Sequence, residues 1–468
     1  MALVSPPVSL EERYGSLASA GSTMPSLALL ALGAVARDMG LRPRIIEASS
    51  LLLTLDETVR EIMSFSPRVV LLTATTMSIH RQAELARRLK EAEPRITTVI
   101  GGPHLTAVPE ETMERFPHFD IGAIGEGEDT VRELLSALIS GGDLRDVAGL
   151  IIRRDGSCKR TSPRPFIRDL DGLPFPAWEL LPGFPRSFRH AAYRVRRLPA
   201  ASIVTSRGCP WECTFCDTSV FGHRYRYYSP QYLWEMIKEL YQRYGVRELI
   251  IEDDVFFLIK RRVVELCETM IKSGIELSWS CMGRVNNVDL ELLKLMKRAG
   301  CWQVNYGIES GVQRILDLVD KKIRLETIEQ ALRWTKEAGL YAKGFFIIGF
   351  PTETVDSIMA TIDFAKRVEL ADISVSFLTP LPGSALYHQA PLYGWFDDDW
   401  EKMNFLNVVF VPHGLSADEL KYYCKRMWRE FYLRPKIVWS YIRRVLDNPR
   451  LIGEVARGGL ALLRTVAS

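Results

Sequence analysis

Eight cysteines occur in the 468 residues, and three of them fall within eight positions, in Ser206-Arg-Gly-Cys209-Pro-Trp-Glu-Cys213-Thr-Phe-Cys216. Three thiolates at C-x3-C-x2-C spacing on one short loop suffice to wrap one face of a cubic iron–sulfur cluster, leaving the fourth iron without a protein ligand. An open iron of that kind holds a small molecule. A structural zinc site is the competing reading; it needs a fourth ligand, for which His223 is the nearest candidate in sequence. Unrelated packing cysteines are the third reading, and packing is the default for Cys267, Cys281, Cys301 and Cys424, which lie in helical or strand patterns.

Such a loop needs a rigid frame. Strand patterns recur at Ser202–Thr205, Glu248–Glu252, Glu276–Ser280, Gln303–Gly307, Lys343–Ile348 and Ile373–Leu378, separated by helical patterns such as Pro230–Tyr244 behind a Ser229 cap and Leu290–Ala299. Six such units predict a partial (β/α)6 barrel of the TIM type over residues 200–390, with the cysteine loop after its first strand. Residues 1–148 alternate as well. Helices are expected at Ser26–Gly40, Leu55–Ser64, His80–Glu91 and Asp129–Ser140, and strands at Arg44–Glu47, Val69–Ala74 and Thr97–Ile100. The pattern predicts an α/β, doubly wound, Rossmann-like domain. Its ligand would sit at the strand ends, against Thr73–Ser78, Gly101–His104 and Gly125–Glu128. Residues 149–199, with a short strand at Leu150–Arg153, a turn at Asp155-Gly156 and a stretch rich in proline and arginine, form a linker.

Residues 391–468 read as a helical domain. From Lys421 onward it holds eleven Lys or Arg against three acids, interleaved with Tyr422, Trp428, Phe431, Tyr432, Trp439 and Tyr441. Two readings stand: a helical cap with a solvated basic face, or a surface that touches a membrane or an acidic partner. Sixty basic residues nearly balance 57 acidic ones, so the net charge of +3 gives no global field for nucleic acid. Apolar runs break off before the ~20 residues a bilayer span requires, and the N-terminus has no basic stretch followed by an apolar one. A cytoplasmic protein is expected.

The cysteine loop at the mouth of a six-unit barrel resembles the radical S-adenosylmethionine enzymes, over Ala201 to about Leu386. In that family the three cysteines hold a [4Fe-4S] cluster whose open iron chelates the amino and carboxylate groups of S-adenosylmethionine. One electron, from a donor such as flavodoxin or ferredoxin, then releases a 5′-deoxyadenosyl radical that abstracts hydrogen from substrate. The resemblance implies that Asp253 or Asp254, in Ile251-Glu-Asp-Asp254, meets the amino group. Arg284 would pair with the carboxylate. Glu309, in Gly307-Ile-Glu-Ser310, would hold the ribose, while Phe215 and Gly349-Phe350-Pro351 would contact adenine.

A doubly wound domain before such a barrel resembles the cobalamin-dependent subfamily, which includes methylases and the anaerobic porphyrin cyclase. The resemblance implies that Thr73, Thr75, Thr76, Met77, Gly101, Gly102, Pro103, His104, Gly125, Glu126, Gly127 and Glu128 surround the corrin and its nucleotide tail. The Asp-x-His-x-x-Gly signature of a cobalt-ligating histidine is absent, so cobalamin would bind without a histidine beneath it, or the domain keeps the fold alone. The implied activity is methylation of an unactivated carbon of a small-molecule or lipid-like substrate through methylcobalamin. Alternatives are a cyclase or other carbon-bond-forming enzyme, and a non-catalytic sensor. A transfer-RNA methylthiotransferase is disfavoured, since no cysteine precedes Cys158 to hold a second cluster. The apolar loop Pro380–Leu386 and the aromatic tail leave room for a hydrophobic substrate.

Overall fold

The structure is a computed structural model describing residues 1–191, 194–447 and 452–467. Its first sheet contains β1 (Ala2–Val4), β2 (Arg44–Ile46), β3 (Val69–Thr73), β4 (Thr97–Gly101), β5 (Ile121–Ala123), β6 (Leu150–Arg154) and β7 (Ser157–Arg160). The order is β2-β1-β3-β4-β5-β6-β7, with the first five strands parallel and the last two antiparallel. Alternate residues feed two cores, as a doubly wound sheet requires. Leu3, Leu71 and Val99 pack with the helices Leu27–Asp38 and Gly127–Ser140, whereas Val4, Val70, Leu72 and Ile100 pack with Leu55–Met63 and Ile79–Ala92.

Two differences from the sequence reading matter. β1 is only three residues long, too short for a periodic signal, yet it lies between β2 and β3 and is fully buried. The strand expected in the linker pairs antiparallel with β5, and a further strand pairs with it, so the first sheet runs on to Arg160 rather than stopping near residue 148.

In the second half the strands are β8 (Ala200–Ile203), β9 (Ser206–Arg207), β10 (Arg226–Tyr227), β11 (Glu248–Ile251), β12 (Ser278–Gly283), β13 (Cys301–Glu309), β14 (Tyr341–Ile348) and β15 (Asp372–Phe377). Six of them form one parallel sheet, ordered β15-β14-β13-β12-β11-β8, whose outer strands do not pair with each other. The barrel is therefore open. On β13, Val304, Tyr306 and Ile308 join the apolar core under the outer helices, and Tyr306 Oη lies 2.8 Å from Thr335 Oγ1. Asn305, Gly307 and Glu309 face the interior.

The β15 side is covered by the helix Ala417–Tyr432, which buries Leu420, Cys424, Met427, Trp428 and Phe431 along one face behind a Ser416–Glu419 capping box. Tyr432 donates to Asp372 and, at 2.8 Å, to the Ile373 carbonyl. The C-terminal region also holds a small hairpin of β16 (Gly394–Phe396) and β17 (Phe410–Pro412), and its last helix, Ile452–Ala467, returns to the turn Gly15–Ala20. Among the described residues no helix is long and apolar enough to cross a membrane.

Candidate functional site

The cysteine loop hangs from three fixed points. Cys209 N donates to Gly222 O (3.3 Å), Thr214 N donates to Val319 O (3.1 Å), and Thr214 O accepts from Leu386 N (2.8 Å). Gly208 has φ +82°, and a Cβ there would lie 2.5 Å from the Arg224 carbonyl oxygen, so the turn into Cys209 requires glycine. All three thiols are free and border one cavity of ≈ 690 Å³. No three His, Cys, Asp or Glu side chains among the described residues converge on a single-ion site. His223 is engaged with Trp211 O (3.2 Å) and Thr218 (3.3 Å). A cuboidal cluster takes one thiolate per iron, so the three thiols need not meet at one point. Cys213 accepts from Arg284 Nη1 (3.5 Å); its hydrogen bond with Cys216, with Lys321 and Arg284 nearby, lowers the Cys213 thiol and raises that of Cys216.

The neighbouring carboxylates Asp253 and Asp254 have different surroundings. Asp253 is 1 % exposed and accepts from Thr205 N (2.5 Å), the Thr205 hydroxyl and Ser206 Oγ (2.5 Å), with Arg262 at 3.9 Å. It fixes the strand-to-loop junction from behind. Asp254 is exposed to the cavity and makes no hydrogen bond or ion pair among the described residues; partial desolvation by the cavity walls and then the Asp253 charge push its carboxyl up.

Arg284 stands across the cavity, 4.6 Å over the Trp211 ring. It donates to the Lys321 carbonyl, and its buried Nε has no partner. Glu309 sits at φ +66° just after a register shift in β13 and accepts from Lys321 Nζ (2.7 Å). A Cβ on Gly307 would lie 2.5 Å from that carboxylate, so the bare glycine lets it fold back. Phe350 is fully buried and meets Phe215 edge to face, ring centroids 5.6 Å apart. The turn Gly349-Phe350-Pro351 is held by Glu353, which accepts from Gly349 N (2.6 Å) and Phe350 N (3.1 Å).

From the first sheet, Thr73, Gly101, Gly102, Pro103, Gly125, Glu126, Gly127 and Glu128 border the same cavity. Gly102 (φ +98°) leaves no space for a side chain, since a Cβ would stand 2.8 Å from Ala74 O. The cavity continues as an apolar cleft between this sheet and its helices, lined by Ala28, Leu32, Leu71, Val99, Ala123 and Val131. Thr75, Thr76, Met77 and His104 do not line it, nor, on the barrel side, do Asp253, Phe215, Gly349, Phe350 and Pro351. His104 is 1 % exposed, 3.2 Å from Thr76 Oγ1, with its ring against Trp400 (4.3 Å); burial pushes its pKa down to about 3. Met77 faces a second cavity of ≈ 510 Å³ near Tyr14 and Trp428.

Sequence reasoning missed Arg207, Trp211, Asn305 and Lys321. Arg207 pairs with Glu126 and Glu128 across the two sheets. Asn305 borders the cavity with an unpartnered Oδ1. Only Trp211, inside the cysteine loop, carried a local signal.

The Radical SAM superfamily pattern matches residues 203–365, and that of the B12 binding domain matches residues 15–135. The uncharacterized methyltransferase PH0819 of Pyrococcus horikoshii is 34% identical over 442 residues, covering 94% of each chain. The anaerobic magnesium-protoporphyrin IX monomethyl ester cyclase of Cereibacter sphaeroides is 27% identical over 91% of this chain and 70% of its own. Among solved structures, the radical S-adenosylmethionine methyltransferase TsrM of Kitasatospora setae shares the fold, with TM-score 0.71 and 18% identity over 93% of this chain and 89% of that one. The chain belongs to the cobalamin-dependent radical S-adenosylmethionine enzymes, whose relatives here include both methyltransferases and cyclases.

Proposed function

We propose that the chain is a C-methyltransferase acting on an unactivated carbon of a small-molecule or lipid-like substrate. The observation that carries this reading is the single cavity bounded by Cys209, Cys213 and Cys216 on one side and by the glycine-rich loops of the first sheet on the other. When bound, the cluster with S-adenosylmethionine supplies a hydrogen-abstracting radical, and cobalamin supplies a methyl group.

The residues present fit these groups. The three cysteines would hold the cluster. Asp254 offers a cavity-facing carboxylate to an ammonium, and Arg284 a buried guanidinium, with Nε unpartnered, to a carboxylate. Glu309, paired with Lys321, would take ribose hydroxyls, while Phe215, backed by Phe350, would face adenine. Asp253 is assigned no ligand contact; it positions Thr205 and Ser206 ahead of the cysteines. Gly101, Gly102, Gly125 and Gly127 would admit a broad planar ring close to the backbone, and the apolar cleft behind them would take a nucleotide tail. Asn305 Oδ1 is placed on the barrel interior to accept a hydrogen bond from substrate.

The test is anaerobic reconstitution with iron, sulfide and cobalamin, followed by S-adenosylmethionine and a reductant. Both 5′-deoxyadenosine and S-adenosylhomocysteine are expected. Deoxyadenosine without bound corrinoid or S-adenosylhomocysteine would favour the cyclase-type alternative, and absence of deoxyadenosine would overturn the enzyme reading.

A further inference from the structure

Four buried charges join the two halves of the molecule. Glu126 and Glu128 lie at the start of the helix Gly127–Ser140, in the loop after β5. Arg207 lies on β9, two residues before Cys209, and Arg226 on β10, which pairs with β9. Arg207 donates to Glu126 (2.8 Å) and Glu128, while Arg226 donates to both oxygens of Glu126 (2.8 and 2.6 Å) and to Ile167 O (2.8 Å). Ile167 N returns a hydrogen bond to Glu126 (2.9 Å). Each of the four side chains is at most 8% exposed.

Two arginines and two glutamates balance in charge, and all four carboxylate oxygens accept a hydrogen bond, while Arg226 Nε is buried without a partner. A buried ionic cluster adds little net stability over a well-packed apolar one, but removing one member leaves another charge stranded. Its distinctive property here is direction. The carboxylates belong to the loop that borders the first-sheet side of the cavity, and the arginines to the hairpin that leads into the first cluster cysteine. Elsewhere the two loops run from different sheets, with no shared strand to fix their spacing.

We propose that Arg207 and Arg226 are positioning residues that clamp the Gly125–Glu128 loop to the cysteine loop, setting the register between the two cofactor sites. The proposal rests on the reading that those loops hold cobalamin and the cluster. Loss of the clamp would leave each site able to load and would impair only chemistry that passes between them.

The experiment compares Arg207→Gln, Glu128→Gln and their double variant in the reconstituted full chain. Hydrogen exchange should rise in peptides covering both 124–130 and 205–216 in each single variant, and the double variant should be no worse than either. Iron content should stay near the wild-type value in every variant, and corrinoid content should stay near it in Arg207→Gln, whose side chain is assigned no corrin contact. The ratio of S-adenosylhomocysteine to 5′-deoxyadenosine should fall about tenfold or more, because sub-ångström to ångström misplacement of reacting groups costs factors of this size. Arg207→Lys, which keeps the charge and loses the fork, should fall between wild type and Arg207→Gln, and it carries the test if the glutamine variant does not fold. An unchanged ratio, a parallel fall of both products, or exchange rising in only one loop would overturn the clamp. If the wild-type chain makes no S-adenosylhomocysteine, the functional reading fails instead, and hydrogen exchange alone judges the clamp.

Discussion

Asp253 and Asp254 are adjacent carboxylates, and the structure assigns them opposite roles. In Asp253→Ala, Thr205 N, two hydroxyls and part of the Arg262 charge lose their acceptor in a fully buried site. Breaking a buried, hydrogen-bonded charge arrangement costs about 3–5 kcal/mol. At roughly 2–4 °C per kcal/mol for a unit of this size, the barrel should melt about 6–20 °C lower. Asp254→Asn removes a carboxylate with no protein partner, so its stability should stay within about 0.5 kcal/mol of wild type. It would instead forgo a charge-assisted hydrogen bond to S-adenosylmethionine, worth about 1.5–3 kcal/mol, or roughly 10- to 150-fold in affinity. Anaerobic calorimetric melting of the apo chain and titration of S-adenosylmethionine into the reconstituted chain read the two effects separately. The reasoning is refuted if Asp254→Asn is the variant that melts early, or if Asp253→Ala melts normally and loses only ligand affinity.

Glu353 is buried, and burial pushes its carboxyl up to about 7 against the Gly349 and Phe350 N–H donors. A carboxyl raised in the folded state binds protons more tightly there, so its contribution is full below about pH 4.5 and is lost as pH rises to 7, a change of about 3 kcal/mol. Urea unfolding of the apo chain across this window should show the loss, and Glu353→Gln should flatten it; an equal slope in the variant would contradict the assignment. Trp439, Ile442 and Leu446 project from one side of the helix Pro435–Asp447, 61, 45 and 67 % exposed, in a segment rich in arginine and lysine. On the membrane-contact reading the chain floats with phosphatidylglycerol-containing vesicles and the triple glutamate variant does not; a wild-type chain that stays with the soluble fraction leaves the solvated helical cap as the reading.

Local signals were legible in the sequence and long-range ones were not. The cysteine loop needs only its own spacing, and the helix at Pro230 starts behind the cap that Ser229 announces. Most strand positions followed from apolar runs, although β1 and β5, at three residues each, carry no period and were missed. The linker strand joined the first sheet because β5 left an edge for it, which no local pattern encodes. Neighbours in sequence can face opposite ways at a strand end, so Asp253 and Asp254 could be told apart only by the contacts each makes. His104 stood in a ligand-like loop, but Trp400, nearly three hundred residues away, closes over it. The Lys321–Glu309 and Arg207–Glu126 pairs are likewise products of tertiary approach.

One cavity borders both the cysteine loop and the glycine-rich loops of the first sheet, so the two proposed cofactors would lie close together. Electron paramagnetic resonance of the dithionite-reduced, cobalamin-loaded chain tests it most directly. The reduced cluster and cob(II)alamin should broaden each other's signals, and Cys213→Ala should remove the cluster signal and restore an unbroadened cobalt spectrum. Two full-strength signals with no mutual broadening would contradict it.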